Sequence, residues 1–597
     1  MTTDDTGITD GASVLEANLG KIEELSARLV AAMGGSRQVN PGLSGPGQDL
    51  YMRGAAAYWS SFMADPAKVM EHQVSYWGRT LQHYMDAQAV LGQGTTDAPA
   101  PKPCKDRRFS NPMWETNAYF KFLKDQYLIN SEAVTNAINS VEGLEEGDRK
   151  RLDYFSKQIV DMMAPTNFLG SNPDALTKAA ETQGQSLVDG LENLVRDLEA
   201  NNGDLVVTLA DKEAFKVGEN LATTKGGVVF RNRLLELIQF EATTEKVHKT
   251  PLVIFPPWIN RYYVLDLKEK NSFLKWAVDQ GFTVFVASWV NPDASYADVG
   301  LDDYITEGYL PAIEAAKAIT GEDKVNAIGY CIGGTTLSLT MGLLKKRGDS
   351  SIKSATLFTT LTDFSDKGEF GAFLTDDFVD AIEEEAKTAG YLDKYYMSRT
   401  FSFLRSNDLI YGPAIKSYML GEAPPAFDLL YWNGDGTNLP ARMAVEYLRS
   451  LCQGDELAQG TIKICGETLS LDDVTVPICA IACETDHIAA WKDSYRGWLQ
   501  MASKDKTFIL SESGHIAGIV NPPTRVKYGH YTNAAHAETP EAWQDAAERN
   551  EGSWWPTWSA WLAKKSGARI KARPLGSKDF KVLCPAPGTY VCSNSND

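Results

Sequence analysis

One stretch limits the possible folds more than any other part of the chain: Val325-Asn-Ala-Ile-Gly-Tyr-Cys-Ile-Gly-Gly-Thr335. An apolar run enters Gly329-Tyr330-Cys331-Ile332-Gly333 as a strand, and a helical stretch from Thr336 to about Lys345 follows at once. A strand that turns directly into a helix brings backbone against backbone, and glycine leaves the room that this crossing needs. The spacing is that of a nucleophile elbow, G-x-S-x-G, with cysteine in the serine position. A residue at the apex sits at a helix N-terminus, where the dipole favours a thiolate. The pentapeptide alone decides little, because isolated cysteines are most often small, buried and inert. Its partners must decide.

The surrounding pattern fits a sheet that could carry such a turn. After Asn201, short runs rich in Val, Ile and Phe recur at Leu205–Leu209, Val228–Phe230, Leu252–Phe255, Phe282–Ser288, Val325–Ile328, Ala355–Thr359, Val476–Ala482 and Thr507–Leu510. Several lack alternation, as strands buried on both faces of a parallel sheet do. Helical segments such as Tyr304–Ile319 lie between them, which is the βαβ pattern. From about 362 to 470, acidic helices and aromatic loops show little strand signal, so a cap or lid inserted over the sheet is expected. Ahead of the sheet, Leu15, Leu19, Ile22, Leu25 and Leu29 recur at spacings of three and four and predict an amphipathic helix. A Gly/Pro-rich linker from Gly34 to Gly47, a helical stretch from about Asp49 to Leu91 and a second linker, Gly92–Pro103, come next. The predicted division is a helical extension with linkers over 1–106, a helical domain over 107–200, and a catalytic α/β domain over 201–597.

In an α/β-hydrolase fold the chain order is nucleophile, acid, histidine. Histidines 487, 515, 530 and 536 lie downstream of Cys331. His515 sits in a Gly-bearing loop just past the apolar run that ends at Leu510, where the base of a triad belongs. Asp486, in Ile481-Ala-Cys-Glu-Thr-Asp486-His487, also lies just past a strand. Both loops would leave the carboxyl edge of the sheet, where open α/β sheets place their sites. His487 is a second candidate base, but neighbours on an extended loop point different ways, so it is given a supporting role at most. Cys479, Cys483 and His487 are spaced by four, yet they lie on and just after a buried strand without an evident fourth ligand, so core cysteines are preferred and no metal is expected. An oxyanion hole needs two backbone N–H groups. One would be that of Ile332; the other would come from Phe255-Pro-Pro-Trp-Ile-Asn260, at Trp258 or Ile259, on a loop stiffened by its prolines.

Bulk properties exclude other classes. A chain of 597 residues exceeds the usual size of a single core, so two or more units are expected. A net charge of −20 gives no electrostatic reason to track nucleic acid or coat an anionic membrane. The eight cysteines are too sparse for a disulfide scaffold and fit a reducing cytoplasm. Met1-Thr-Thr-Asp-Asp carries negative charge where a secretory signal needs positive, and no apolar window is long enough for a membrane helix.

Several motifs together resemble class I polyhydroxyalkanoate synthases: Pro256-Pro-Trp-Ile-Asn-Arg-Tyr-Tyr-Val-Leu-Asp266, Gly329-Tyr-Cys-Ile-Gly-Gly-Thr335, Phe401-Ser-Phe-Leu-Arg-Ser-Asn-Asp408, Tyr431-Trp-Asn-Gly-Asp-Gly-Thr-Asn-Leu-Pro440 and Ser513-Gly-His-Ile-Ala-Gly-Ile-Val-Asn-Pro-Pro523. The likeness runs from about Phe109 to Pro587 and includes Gly552-Ser-Trp-Trp-Pro-Thr-Trp558. It implies polymerisation of (R)-3-hydroxyacyl-CoA with release of CoA, Cys331 being acylated, His515 the general base and Asp486 its partner. It further implies a homodimer, a growing polyester chain with a granule surface in the cytoplasm as partners, and no cofactor besides the CoA thioester. Trp432 would be linked to dimerisation or surface packing, and Arg405 to a cap segment that changes shape on activation. Trp258 departs from the smaller or polar residue expected there and could alter the pocket or the entry loop. A cysteine-dependent thioesterase and a non-catalytic granule-coating scaffold are the alternatives.

Overall fold

The computed structural model describes residues 6–34, 48–64, 66–93 and 106–593. Both expected linkers fall largely outside these residues. The chain divides into two units, one of residues 1–211 with 405–425 and one of 212–404 with 426–597.

The first unit is helical. Its main helices are α1 (Thr6–Met33), α2 (Gln48–Ala64), α3 (Pro66–Gln93), α4 (Ala118–Asn139), α5 (Glu146–Met162) and α6 (Gln185–Ala200). The leucine stripe of α1 does form a helix, and Leu25 from it is buried against Val188 and Val195 of α6. The single helix expected over 49–91 is two, because Pro66 opens α3 at a position where its missing N–H is harmless. Phe109, Trp114, Phe120 and Tyr127 form a second small core. The expected strand Leu205–Leu209 is not one. Asp197, fully buried, takes the N–H and hydroxyl of Thr208 at 2.9 and 2.7 Å, so this segment is tied to a helix end rather than to a ladder. The expected boundary at 200 and the undivided cap also differ from what is observed. Residues 405–425 belong to this unit, where Tyr418 donates to Asp197 at 2.8 Å and Asn193 donates to the carbonyl of Ser417 at 3.1 Å.

The second unit is built on an eleven-stranded sheet. In chain order its strands are β1 (Gly226–Arg231), β2 (Leu235–Phe240), β3 (Leu252–Phe255), β4 (Val284–Trp289), β5 (Val325–Tyr330), β6 (Ile352–Phe358), β7 (Ile478–Cys483), β8 (Lys506–Ser511), β9 (His530–Thr532), β10 (Glu548–Asn550) and β11 (Cys584–Pro585). The spatial order is β10-β9-β8-β7-β6-β5-β3-β4-β2-β1-β11. The six strands from β8 to β4 are parallel, and the pairs outside them are antiparallel. Every residue of β3, β4, β5 and β7 is buried, which explains why their sequences are largely apolar and do not alternate. Helix α7 (Ile332–Lys346) leaves β5 directly, and α8 (Asp376–Ala389) and α9 (Lys394–Leu404) come from the predicted cap. Among the described residues no helix is long and apolar enough to cross a membrane.

Candidate active site

The elbow is formed as its glycines require. A Cβ on Gly329 would collide with the Cα of Gly334, and one on Gly333 would lie 2.5 Å from the carbonyl oxygen of Phe255 and 2.8 Å from that of Pro256. The end of β3 therefore lies directly against the first turn of α7. Between the two glycines Cys331 holds φ 52° and ψ −125°, a left-handed conformation that side chains rarely adopt. Its N–H donates to the carbonyl of Phe358 at the end of β6, 2.8 Å away, and Thr335 donates to the carbonyl of Leu361 at 2.6 Å. Because the atoms facing Gly333 are backbone, Gly333→Ala is expected to lose about 1–3 kcal/mol of stability, measured by denaturant unfolding, together with most of the activity.

Asp486 and His515 follow β7 and β8, neighbouring strands on the same carboxyl edge. His515 Nδ1 donates to Asp486 Oδ2 at 2.7 Å, and the other carboxylate oxygen accepts the N–H groups of Ile488 and Ala489 at 2.8 and 2.9 Å. Both residues are buried. With Nδ1 occupied, Nε2 is the nitrogen left to serve Cys331, whose sulfur is near enough to favour the charged imidazole. The histidine loop is held from below: Tyr330 donates to the carbonyl of His515 at 3.2 Å, Trp554 to that of Gly518 at 2.8 Å and Trp555 to that of Ile519 at 2.9 Å. The tryptophan-rich motif thus anchors the loop that carries His515.

Burial opposes a charged imidazole at this place, but the Asp486 carboxylate and the Cys331 sulfur outweigh it and raise His515 to about 10. A folded-state value above the ordinary one means that the folded chain binds this proton more tightly than the unfolded chain does. The resulting stabilisation is complete below about 6.5 and is lost as pH rises towards about 10. The thermal midpoint is expected to fall across that window, and to fall less steeply in Asp486→Asn, which removes the carboxylate that does most to hold the proton.

Cys331 opens on a small apolar chamber. Ile259 and Ile332 line it, as do Phe364, Met397, Phe401 and Tyr447 from the cap region. Of these last four, sequence reasoning named only Phe401, as the start of a motif and without a role at the chamber. Aromatic residues in an insertion carry no sign of which face they present, and Tyr447 is placed by a π-helical segment, Tyr447–Gln453, that an α-helical period does not foresee. The N–H of Ile332 begins α7 and, among the described residues, has no acceptor, as first-turn amides do not. Trp258 is turned away into the core, its Nε1 donating to Thr336 at 3.1 Å and its ring set edge-on to Tyr447 at 5.8 Å; it backs the chamber wall while Ile259 lines it.

The remaining predicted residues lie elsewhere. His487 follows Asp486 but does not line the chamber. Trp432 is not a surface residue: it is 6% exposed, packed in the main core, and donates to the carbonyl of Arg261 at 2.7 Å. Arg405 belongs to the first unit, where it pairs with Asp408 at 3.2 Å on an exposed face. Cys479 and Cys483 are buried in β7, and burial pushes both thiols up.

Residues 105–277 match the family described as the N-terminus of poly-beta-hydroxybutyrate polymerase (PhaC), and residues 230–522 match the alpha/beta hydrolase fold. The chain is 39% identical over 541 residues to the poly(3-hydroxyalkanoate) polymerase subunit PhaC of Rhizobium meliloti, covering 89% of this chain and 87% of that one. It is 40% identical over 524 residues to the protein of the same name from Cupriavidus necator, covering 86% and 88%. To the poly(3-hydroxyalkanoate) polymerase of Methylorubrum extorquens it is 38% identical over 561 residues, covering 91% and 93%.

Proposed function

Because the chain belongs to the poly(3-hydroxyalkanoate) polymerase family, we propose that it polymerises (R)-3-hydroxyacyl groups from their CoA thioesters, with Cys331 as the residue acylated and CoA as the group released. The observation that carries this reading is the line Asp486–His515–Cys331 opening on an apolar chamber.

In the first step the Cys331 sulfur attacks the thioester carbonyl. The oxyanion is met by backbone N–H groups, of which those of Ile332 and Ile259 are the candidates. The carbonyl re-forms, the bond to the CoA sulfur breaks, and CoA leaves with the proton carried by His515. One thioester replaces another, so the acyl-enzyme stays reactive. In the second step a 3-hydroxyl, from a monomer or from the chain end, gives its proton to His515 and attacks the acyl-cysteine. An oxoester forms and the cysteine is freed. General-base help of this kind contributes about 10²–10⁴ in rate. Water would end the chain by hydrolysis, and the apolar lining of the chamber disfavours it.

The same reading has the enzyme working in the cytoplasm, as a homodimer, at the surface of polyester granules, with no cofactor beyond the CoA thioester. A row of exposed apolar side chains on α3, Val74, Trp77, Leu81 and Met85, at spacings of three and four, is suited to such a surface. The deciding experiment incubates the protein with 3-hydroxybutyryl-CoA and follows free CoA, free acid and insoluble polymer together. Polymer with stoichiometric CoA is expected. CoA with free acid and no polymer would make the chain a thioesterase.

A further inference from the structure

The motif Tyr431–Pro440 supplies no member of the triad, yet its Thr437 is 1% exposed and meets the loop after β3 at two successive peptides. Its hydroxyl donates to the carbonyl of Trp258 at 2.9 Å, and its backbone N–H donates to the carbonyl of Ile259 at 3.1 Å. An antiparallel bridge joins Asn260 to Gly436 beside them. We propose that Thr437 is a positioning residue for the oxyanion hole, setting the direction of the Ile259 N–H relative to Cys331. This inference rests on the acyl-transfer reading above.

The argument is one of peptide geometry. A trans peptide is planar, and its C=O and N–H point to opposite sides. By holding the Trp258 carbonyl, the Thr437 hydroxyl turns the N–H of the same peptide, which is that of Ile259, to the far side. The rest of the loop is already fixed. Trp289 Nε1 donates to the carbonyl of Pro256 at 2.9 Å, and Trp258 Nε1 reaches Thr336 on the helix behind the nucleophile. Pro256 and Pro257 fix φ, and Gly333 is packed too closely beneath for the loop to sink. Ile259, Ile332 and Cys331 all line the same chamber. What remains to be decided is the rotation of one peptide, and Thr437 decides it. Without its hydroxyl, the Trp258–Ile259 peptide can rotate and present a carbonyl oxygen, which repels the developing oxyanion that an N–H would stabilise.

Single-turnover CoA release from 3-hydroxybutyryl-CoA, measured over a range of concentrations in the full chain, tests this with two variants. Thr437→Val keeps the shape and loses the donor; Thr437→Ser keeps the donor and loses a methyl group. Removing an oxyanion donor outright costs about 10²–10³ in rate, so misdirecting one in Thr437→Val is expected to lower the limiting rate about tenfold or more. The half-saturating concentration should stay within about twofold, and Thr437→Ser should stay within about threefold of the parent rate. A packing role predicts the reverse order, because serine leaves the cavity and valine does not. A parent-like rate in the valine variant, a serine variant as slow as the valine one, or a change confined to half-saturation would overturn the proposal. If the valine variant fails to fold, the serine variant decides alone, a parent-like rate supporting the proposal and a tenfold loss overturning it. A parent chain that releases no CoA at all would remove the acyl-transfer reading itself, and this inference with it.

Discussion

Cys331→Ala is expected to abolish CoA release from 3-hydroxybutyryl-CoA, by about 10⁴-fold or more, as loss of a covalent nucleophile does in enzymes whose catalytic groups act as a unit. The side chain removed is small and partly buried, and the backbone of the elbow is held by Gly329, Gly333 and the hydrogen bond from Cys331 N–H to Phe358. The variant should therefore fold like its parent, which circular dichroism and thermal unfolding would check. Mass spectrometry of the parent quenched during turnover should find the acyl group on the peptide that carries Cys331 and on no other cysteine. The buried thiols of Cys452, Cys479 and Cys483 are all raised by desolvation and are poor nucleophiles. Polymer accumulating in cells that depend on the alanine variant would reject both this assignment and the covalent mechanism. It would instead favour a protein that organises granules without making them.

His515→Gln is expected to slow acylation and chain elongation together, each by about 10³-fold. The imidazole is the group that the Asp486 carboxylate and the Cys331 sulfur both address, and one base serves both half-reactions in the proposed cycle. Glutamine can accept the geometry but cannot carry the proton. Rapid-quench measurement of the first CoA released reports acylation, and the rate of subsequent turnovers reports elongation. A variant that acylates at the parent rate but fails to elongate would mean that Cys331 is activated by another group.

The parts of this site that could be read from the sequence are those in which a few adjacent residues determine a local geometry. The elbow is one, because Gly329 and Gly333 flank Cys331 within five residues. The positions of Asp486 and His515 are others, since each follows a buried apolar strand by only a few residues. The parts that could not be read depend on partners outside the local pattern, many of them hundreds of residues away. Strand β2 was missed because Glu236 and Gln239 interrupt its apolar run. Glu236 is buried only because Arg231, Thr589 and Tyr590 satisfy it, and Gln239 because it bonds to Pro574 and Gly576. The converse error occurred at Leu205–Leu209, an apolar run that Asp197 diverts from the sheet. Residues 405–425 join the helical unit through Asn193 and Asp197, a pairing that no local pattern announces. The clamp of Thr437 on the loop after β3 is of the same kind, although the motif containing it stood out.

The left-handed backbone at Cys331 has a consequence for how such a chain drifts under mutation. Conformations of this kind cost about 1–3 kcal/mol when a side chain is present, and here that cost falls on the residue proposed to be acylated. Glycine fits φ 52° without strain, so Cys331→Gly should fold at least as stably as the parent while making nothing. Any screen for expression or thermal tolerance alone would therefore reward loss of the proposed nucleophile. Only selection for the product keeps the thiol at its strained turn.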